Sequence, residues 1–350
     1  MGEPVMILPM TLLNAWDTIS AIGGSRIDKE VVDAYLAADA GSVSLEALYE
    51  SAGRKIAELT GVPSACVTGG ASAGILMAVA ACLTLGDERL FERLPEGDYP
   101  PVLMIQTQQN NYTPAVHWAG ARLVEIDGTD MADASAFIYF SGKNFSVHGP
   151  SLRSCAECAH AAGIPVIVDA AAQLPPLENF TGYLKEGADI VLYSGGKAVG
   201  GPQSTGFALG DPVWIERIQR LTLTGRGLAA LVQVGGMQIM GLLTALKRFV
   251  EGGCSKEMSL CEERCARMAQ ALEGLYTTKI SRVTPLGQTW ARLLLWHPKC
   301  NAVELKAKLN AQGVEITLED EVLRVNPWGL YDSEEARLVA LLKEEALSWA

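Results

Sequence analysis

Ile190-Val191-Leu192-Tyr193-Ser194-Gly195-Gly196-Lys197-Ala198-Val199-Gly200-Gly201-Pro202-Gln203 is the stretch that decides the reading of this chain. A strand-like apolar run enters it, a glycine-rich turn delivers one lysine, and a second run, Thr205-Gly206-Phe207-Ala208-Leu209, leaves it. Upstream, Asp169 ends another apolar run, Pro165-Val166-Ile167-Val168. Each feature has a bland explanation when taken singly. A lysine in such a loop is usually solvated, and an aspartate after a strand usually serves a turn or a helix cap. In this order, with a glycine-rich strand–helix turn further upstream, they match the two fixed points of a pyridoxal phosphate (PLP) site. Lys197 would form the Schiff base with the cofactor aldehyde. Asp169 would keep the pyridine nitrogen protonated, so that the ring accepts electrons.

The surroundings suit such a site. The chain has 350 residues, more than one ordinary core serves, with 49% hydrophobic and 19% charged residues. The net charge of −12 disfavours nucleic acid and anionic membranes as partners. No basic region followed by an apolar core opens the chain, and the apolar stretch Ala71–Leu85 is too short to span a bilayer. Eight cysteines in apolar or helical contexts read as free thiols of a cytoplasmic protein. Cys155 and Cys158 with His160 have a metal-like spacing, but no second ligand pair completes the four that a structural zinc wants. No metal is expected.

Short apolar strands alternate with helices from Ala65 to Leu209: strands at 65–68, 102–105, 137–140, 166–168, 190–193 and 205–209, with helices such as 72–85 and 151–162 between them. That alternation argues for an α/β fold, a mostly parallel sheet with helices on both faces. Ligands of such sheets lie beyond the carboxyl ends of the strands. Near residue 230 the alternation stops. A single long helix is expected at 231–250, another at 258–275, then strands at 292–296 and 322–325 with helices among them. The expected division is an N-terminal arm over 1–20, a large PLP-binding domain over 21–250 and a small C-terminal α+β domain over 251–350.

Thr68-Gly69-Gly70-Ala71-Ser72 joins a strand to a helix, where free N–H groups and the helix dipole cradle a phosphate. Ser194 can reach the same phosphate. Ala171 is small enough to lie flat on one ring face, and Gln173 can bond the cofactor's phenolic oxygen. Gln109, Asn110 or Tyr112, after the strand at 102–105, would cover the other face. Arg26, Arg226, Arg292 and Arg324 are candidates for a substrate carboxylate or phosphate, because a guanidinium fork matches such oxyanions. For each of these side chains a surface or turn role is the bland alternative. Gln203 has no derivable role beyond ordering its turn.

Ser194 to Gln203 is similar to the lysine segment of bacterial selenocysteine synthase (L-seryl-tRNA selenium transferase) and its shorter relatives, nearest the D-glucosaminate-6-phosphate ammonia-lyase branch. Gly23-Gly24-Ser25-Arg26, Ala57-Glu58-Leu59-Thr60-Gly61, Asn111-Tyr112, Ala119-Gly120-Ala121 and Pro165 to Ala171 fit the same branch. The resemblance implies a fold-type I PLP enzyme (aspartate aminotransferase-like, with a seven-stranded sheet), a homodimer or larger. It implies Lys197 as the Schiff-base lysine, Asp169 at the ring nitrogen, and Thr68 to Ser72 with Ser194 as the phosphate cup. The segment after Arg226 carries no basic residue, and basic loops for tRNA are absent. The leading expectation is an amino-acid lyase of the α,β-elimination type. A racemase or epimerase is the runner-up, an aldolase or aminotransferase follows, and a non-catalytic scaffold on the same fold comes last.

Overall fold

Strands buried on both faces build the larger of two units. The computed structural model describes residues 12–38, 43–127, 131, 133–142, 149–282, 284 and 287–349. Most of the expected arm lies outside them. The first strand, β1 (Leu13–Ala15), belongs to the smaller unit. The larger unit, Gly23–Cys254 with Thr284–Gln288, holds β2 (Ser64–Thr68), β3 (Val102–Ile105), β4 (Leu123–Ile126) and β5 (Ala136–Phe140). It continues with β6 (Val166–Asp169), β7 (Ile190–Ser194) and β8 (Gly206–Gly210).

These seven strands form one sheet in the order β2-β8-β7-β6-β5-β3-β4. Only β8 runs against its neighbours. The carboxyl ends of β2, β3, β5, β6 and β7 therefore share one edge, which collects Thr68, Gln106, Ser141, Asp169 and Ser194. The period-2 alternation of side chains divides the core in two. Ile138, Ile167, Leu192 and Ala208 pack with α3 (Ala71–Thr84) on one face. Tyr193 and Phe207, of opposite parity, stack on each other on the other face, with Phe180 of the helix Asn179–Lys185 against both. Helices thus cover both faces, as an α/β fold requires. α3 is buried almost all round, which explains its run of Ala, Gly and aliphatic residues without a charge.

Two further helices belong to this unit: α1 (Lys29–Ala37) and α2 (Leu45–Thr60). Ser44 caps α2 by accepting from Ala47 N–H, and Gly61 ends it at φ 70. The fully buried Tyr49 of α2 corrects one expectation. Its hydroxyl accepts from Val234 N–H at 2.7 Å, taking backbone that a continuous 231–250 helix would need. The chain instead forms Leu228–Val232 and Gly236–Arg248, broken at Gln233–Gly235. A π turn, Phe249–Gly253, then leads into the helix Cys254–Ala271, which begins before the expected 258.

The smaller unit, residues up to Ile22 with Ser255–Val283 and Thr289–Ala350, contains β9 (Thr277–Ser281), β10 (Arg292–Trp296), β11 (Val314–Glu319) and β12 (Val322–Val325). Its sheet order is β1-β11-β12-β10-β9, with β1 parallel to β11 (Leu13 opposite Val314) and the rest antiparallel. Asp320 and Glu321, both at positive φ, form the two-residue hairpin between β11 and β12. Among the described residues, no helix is long and apolar enough to cross a membrane.

Candidate active site

Lys197 stands in the turn between β7 and the antiparallel β8. That turn is closed by Gly195 N–H to Thr205 O, Gly201 N–H to Gly195 O and Gly200 N–H to Lys197 O, all within 2.9 Å. The lysine is half-buried, and its Nζ lies 5.9 Å from the centre of the Tyr112 ring. Asp169, at the end of β6, is 7% exposed, and its Oδ1 accepts from Ala171 N–H at 2.9 Å. Burial pushes its carboxyl group up, with the Ala171 N–H and the Lys197 ammonium pulling the other way. The two residues that the sequence singled out therefore feel each other's charge at the carboxyl edge of the sheet.

The glycine-rich turn before α3 lies at the same edge. In the sheet register, Gly206 faces Thr68 on one side and Ser194 on the other. A Cβ at Gly206 would come 2.5 Å from Tyr193 O and 2.8 Å from the Gly70 carbonyl carbon, so only glycine lets the turn sit this close. Gly70 is the N-cap of α3 at φ 106, and no side chain caps the helix. Thr68 Oγ1 donates to Gly70 O at 3.0 Å. The space a Cβ would fill at Gly70 is open to 4 Å. The first-turn N–H groups, contributed by Ala71 and Ser72, thus lie without a side-chain cap at the positive end of a 14-residue helix, a place suited to an anion.

The loop after β3 sorts its three candidates. Asn110 is folded into its own turn, donating from Nδ2 to Gln108 O at 2.8 Å and accepting at Oδ1 from Tyr112 N–H at 2.7 Å. Gln109 is exposed, and Tyr112 is the side chain set near Lys197. Gln173 is buried; its Nε2 donates to Ser141 O at 3.1 Å, and its own carbonyl accepts from Asn179 Nδ2 at 2.6 Å. Ser141 Oγ and Tyr183 Oη meet at 2.6 Å, and burial raises the Tyr183 phenol to about 12. Sequence reading passed over Ser141 and Tyr183; the position of Ser141 just past β5 was the available signal.

Comparison with known proteins fits this geometry. A family model described as L-seryl-tRNA selenium transferase matches residues 157–261, a stretch that contains Asp169 and Lys197. A Streptomyces protein named 5'-C-glycyluridine monooxygenase-decarboxylase is 30% identical over 75% of this chain and 69% of its own. The chain belongs to the selenium transferase-like family of fold-type I PLP enzymes. Within that family it is 28% identical, over 96% of its length and 95% of the other's, to a Salmonella typhimurium protein named D-glucosaminate-6-phosphate ammonia lyase. The solved structure titled D-glucosaminate-6-phosphate ammonia-lyase superposes with a TM-score of 0.85 at 25% identity, covering 97% of this chain and 96% of that one.

The residues present fit the family's cofactor: an amine for its aldehyde, a buried carboxylate for its ring nitrogen and an uncapped helix N-terminus for its phosphate. The arginine candidates have different surroundings. Arg226 is 76% exposed at the surface and pairs with Glu92 at 3.2 Å. Arg324 lies in the smaller unit and pairs with Glu319. Arg292, also there, is fully buried against the Trp290 ring at 4.0 Å and beside Asp17 at 3.5 Å, and burial lowers its pKa to about 10. Arg26 is exposed, in a segment tied to the Lys197 turn. Ser25 Oγ, next to it, is buried without a hydrogen-bond partner among the described residues.

Proposed function

We propose that this protein is a PLP-dependent amino-acid lyase of the α,β-elimination, ammonia-releasing type. The observation that carries the reading is the meeting of Lys197, Asp169 and the uncapped N-terminus of α3 at one edge of the sheet. When bound, PLP supplies an aldehyde for the substrate amine and a cationic ring that takes up the electron pair left by the Cα proton.

The chain's own residues do the rest. Ala71 and Ser72 N–H groups, with the Ser194 and Ser72 hydroxyls, hold the phosphate. Asp169 keeps a proton on the ring nitrogen through a charge-assisted bond in a site shielded from water. Because burial raises its pKa against the pull of Ala171 N–H and Lys197, a cation arriving beside it relieves a carboxylate that its surroundings disfavour. Ala171 and Tyr112 would lie against the ring, and Gln173 with Ser141 would border its oxygen. Lys197 Nζ, half-buried, takes the Cα proton. The substituent on Cβ then leaves with its bonding electrons and receives a proton. The unsaturated amine that remains hydrolyses to ammonia and a 2-oxo acid.

The name of one relative, D-glucosaminate-6-phosphate ammonia lyase, supports an ammonia-releasing lyase, and the absence of a basic cluster after Arg226 favours a substrate without a phosphate there. Homodimerisation is part of the proposal; Val32 and Leu36, one turn apart on α1 and exposed at 41% and 61%, leave an apolar stripe for a second copy to cover. Eight free thiols support a reducing, cytoplasmic setting. The test loads the protein with PLP and screens D- and L-amino acids in deuterated water for ammonia, 2-oxo acid and label at Cα. Release of ammonia with 2-oxo acid is expected. Label at Cα with inverted configuration and no ammonia would mean a racemase.

A further inference from the structure

Gln203 joins two segments far apart in sequence. Its Nε2 donates to Gly23 O at 2.7 Å and to Gly196 O at 3.1 Å. Gly196 O also accepts from Ser25 N–H at 3.1 Å. Gly196 immediately precedes Lys197, so the Gly23-Gly24-Ser25-Arg26 segment is tied onto the turn that carries the reactive amine. The approach leaves no room for side chains. A Cβ on Gly24 would overlap the Gln203 amide and lie 2.6 Å from Gly196 O. A Cβ on Gly196 would come 2.7 Å from Gln203 Cα. Arg26 follows directly, and its carbonyl oxygen lies 3.6 Å from where a Cβ of Gly200 would stand, at the far end of the same turn. Arg26 is exposed, and a guanidinium carried by a backbone anchored at this place is matched in shape to a carboxylate.

We propose that Gln203 is a positioning residue: it fastens residues 23–26 against the Lys197 turn and thereby presents Arg26 to the carboxylate of the amino-acid substrate. The carboxylate role depends on the amino-acid reading above; the fastening does not. Gln203→Glu keeps the size of the side chain but turns the donor into an acceptor facing two carbonyl oxygens, so it separates hydrogen bonding from packing.

Two measurements on the PLP-loaded protein test this. Limited trypsin digestion reads the Arg26–Ile27 bond. Both Gln203→Ala and Gln203→Glu are expected to speed its cleavage roughly tenfold, since the Gln203 hydrogen bond that holds Gly23 against the turn is lost. The cofactor's absorbance is then titrated with glycine, which has a carboxylate, and with methylamine, which has none. In either variant, and in Arg26→Ala, glycine affinity should fall roughly tenfold while methylamine affinity stays within about twofold. Gln203→Ala combined with Arg26→Ala should bind glycine no worse than Arg26→Ala does. Unchanged cleavage, a Gln203→Glu variant that behaves as wild type, or equal losses for both amines would overturn the proposal. Neither readout needs turnover, so a protein that releases no ammonia would defeat the lyase reading and still leave this one decided.

Discussion

Replacing Asp169 by Asn separates what this residue does to the fold from what it does for the cofactor. Burial raises its carboxyl group above the ordinary value of 3.8, and the Ala171 N–H and Lys197 only partly counter it. A group whose folded pKa lies above its unfolded one favours the native state while protonated. That contribution is complete below 3.8 and is lost as pH rises through the elevated folded value. Above that elevated value the cofactor-free protein therefore holds a charge that its surroundings disfavour. Asn keeps the shape and an oxygen to accept from Ala171 N–H, and removes the charge. The cost it relieves is that of one incompletely paired buried group, about 1–3 kcal/mol. Melting temperature shifts by roughly 2–4 °C per kcal/mol in a unit of this size. With PLP bound the sign reverses. The charge-assisted bond to the ring nitrogen is lost, about 1.5–3 kcal/mol, and cofactor affinity falls roughly ten- to hundredfold. Scanning calorimetry of cofactor-free and PLP-loaded forms between about pH 4 and pH 8 reads both effects. The variant should melt above wild type without cofactor, by a margin that closes towards acid, and gain less from PLP. A cofactor-free variant that melts below wild type at neutral pH would refute the reasoning, as would a margin that ignores pH.

Other outcomes follow from the same geometry. Lys197→Ala should abolish turnover and the label that borohydride leaves on residue 197, measured by peptide mass; full turnover would remove Lys197 from the chemistry. Gly206→Ala places a methyl group 2.5 Å from Tyr193 O, so it should cost about 1–3 kcal/mol in denaturant unfolding and weaken PLP binding as the phosphate turn is displaced. Thiol titration of the native protein should find Cys158 and Cys300 reacting ahead of the six buried cysteines, of which Cys66 is pushed up to about 12 by burial.

Lys197 and Asp169, on which the proposed site rests, were legible because their signals are local. Strand runs with apolar residues at every position mark a sheet covered on both sides, and a parallel sheet puts its loops, and so Asp169, at one edge. The short edge strand β4 was passed over, since Leu123, Val124, Glu125 and Ile126 are none of them fully buried and carry little pattern. The break after Val232 was missed because its cause, Tyr49, lies on α2. Arg226 looked like an anion receptor in its glycine-rich loop; the structure gives it Glu92 as partner.

By itself, then, the amino-acid order determined the layering of helix and strand, the amine on its glycine turn and the carboxylate at the mouth of β6, because periodicity and turn chemistry act between near neighbours. Folding in three dimensions decided which of Gln109, Asn110 and Tyr112 stands over the lysine, and that Gln203 grips Gly23. It also decided that β1 joins the strand at Val314. Such pairings depend on which surfaces meet across the whole chain, and a partner chosen at that distance leaves no mark on the residues beside it.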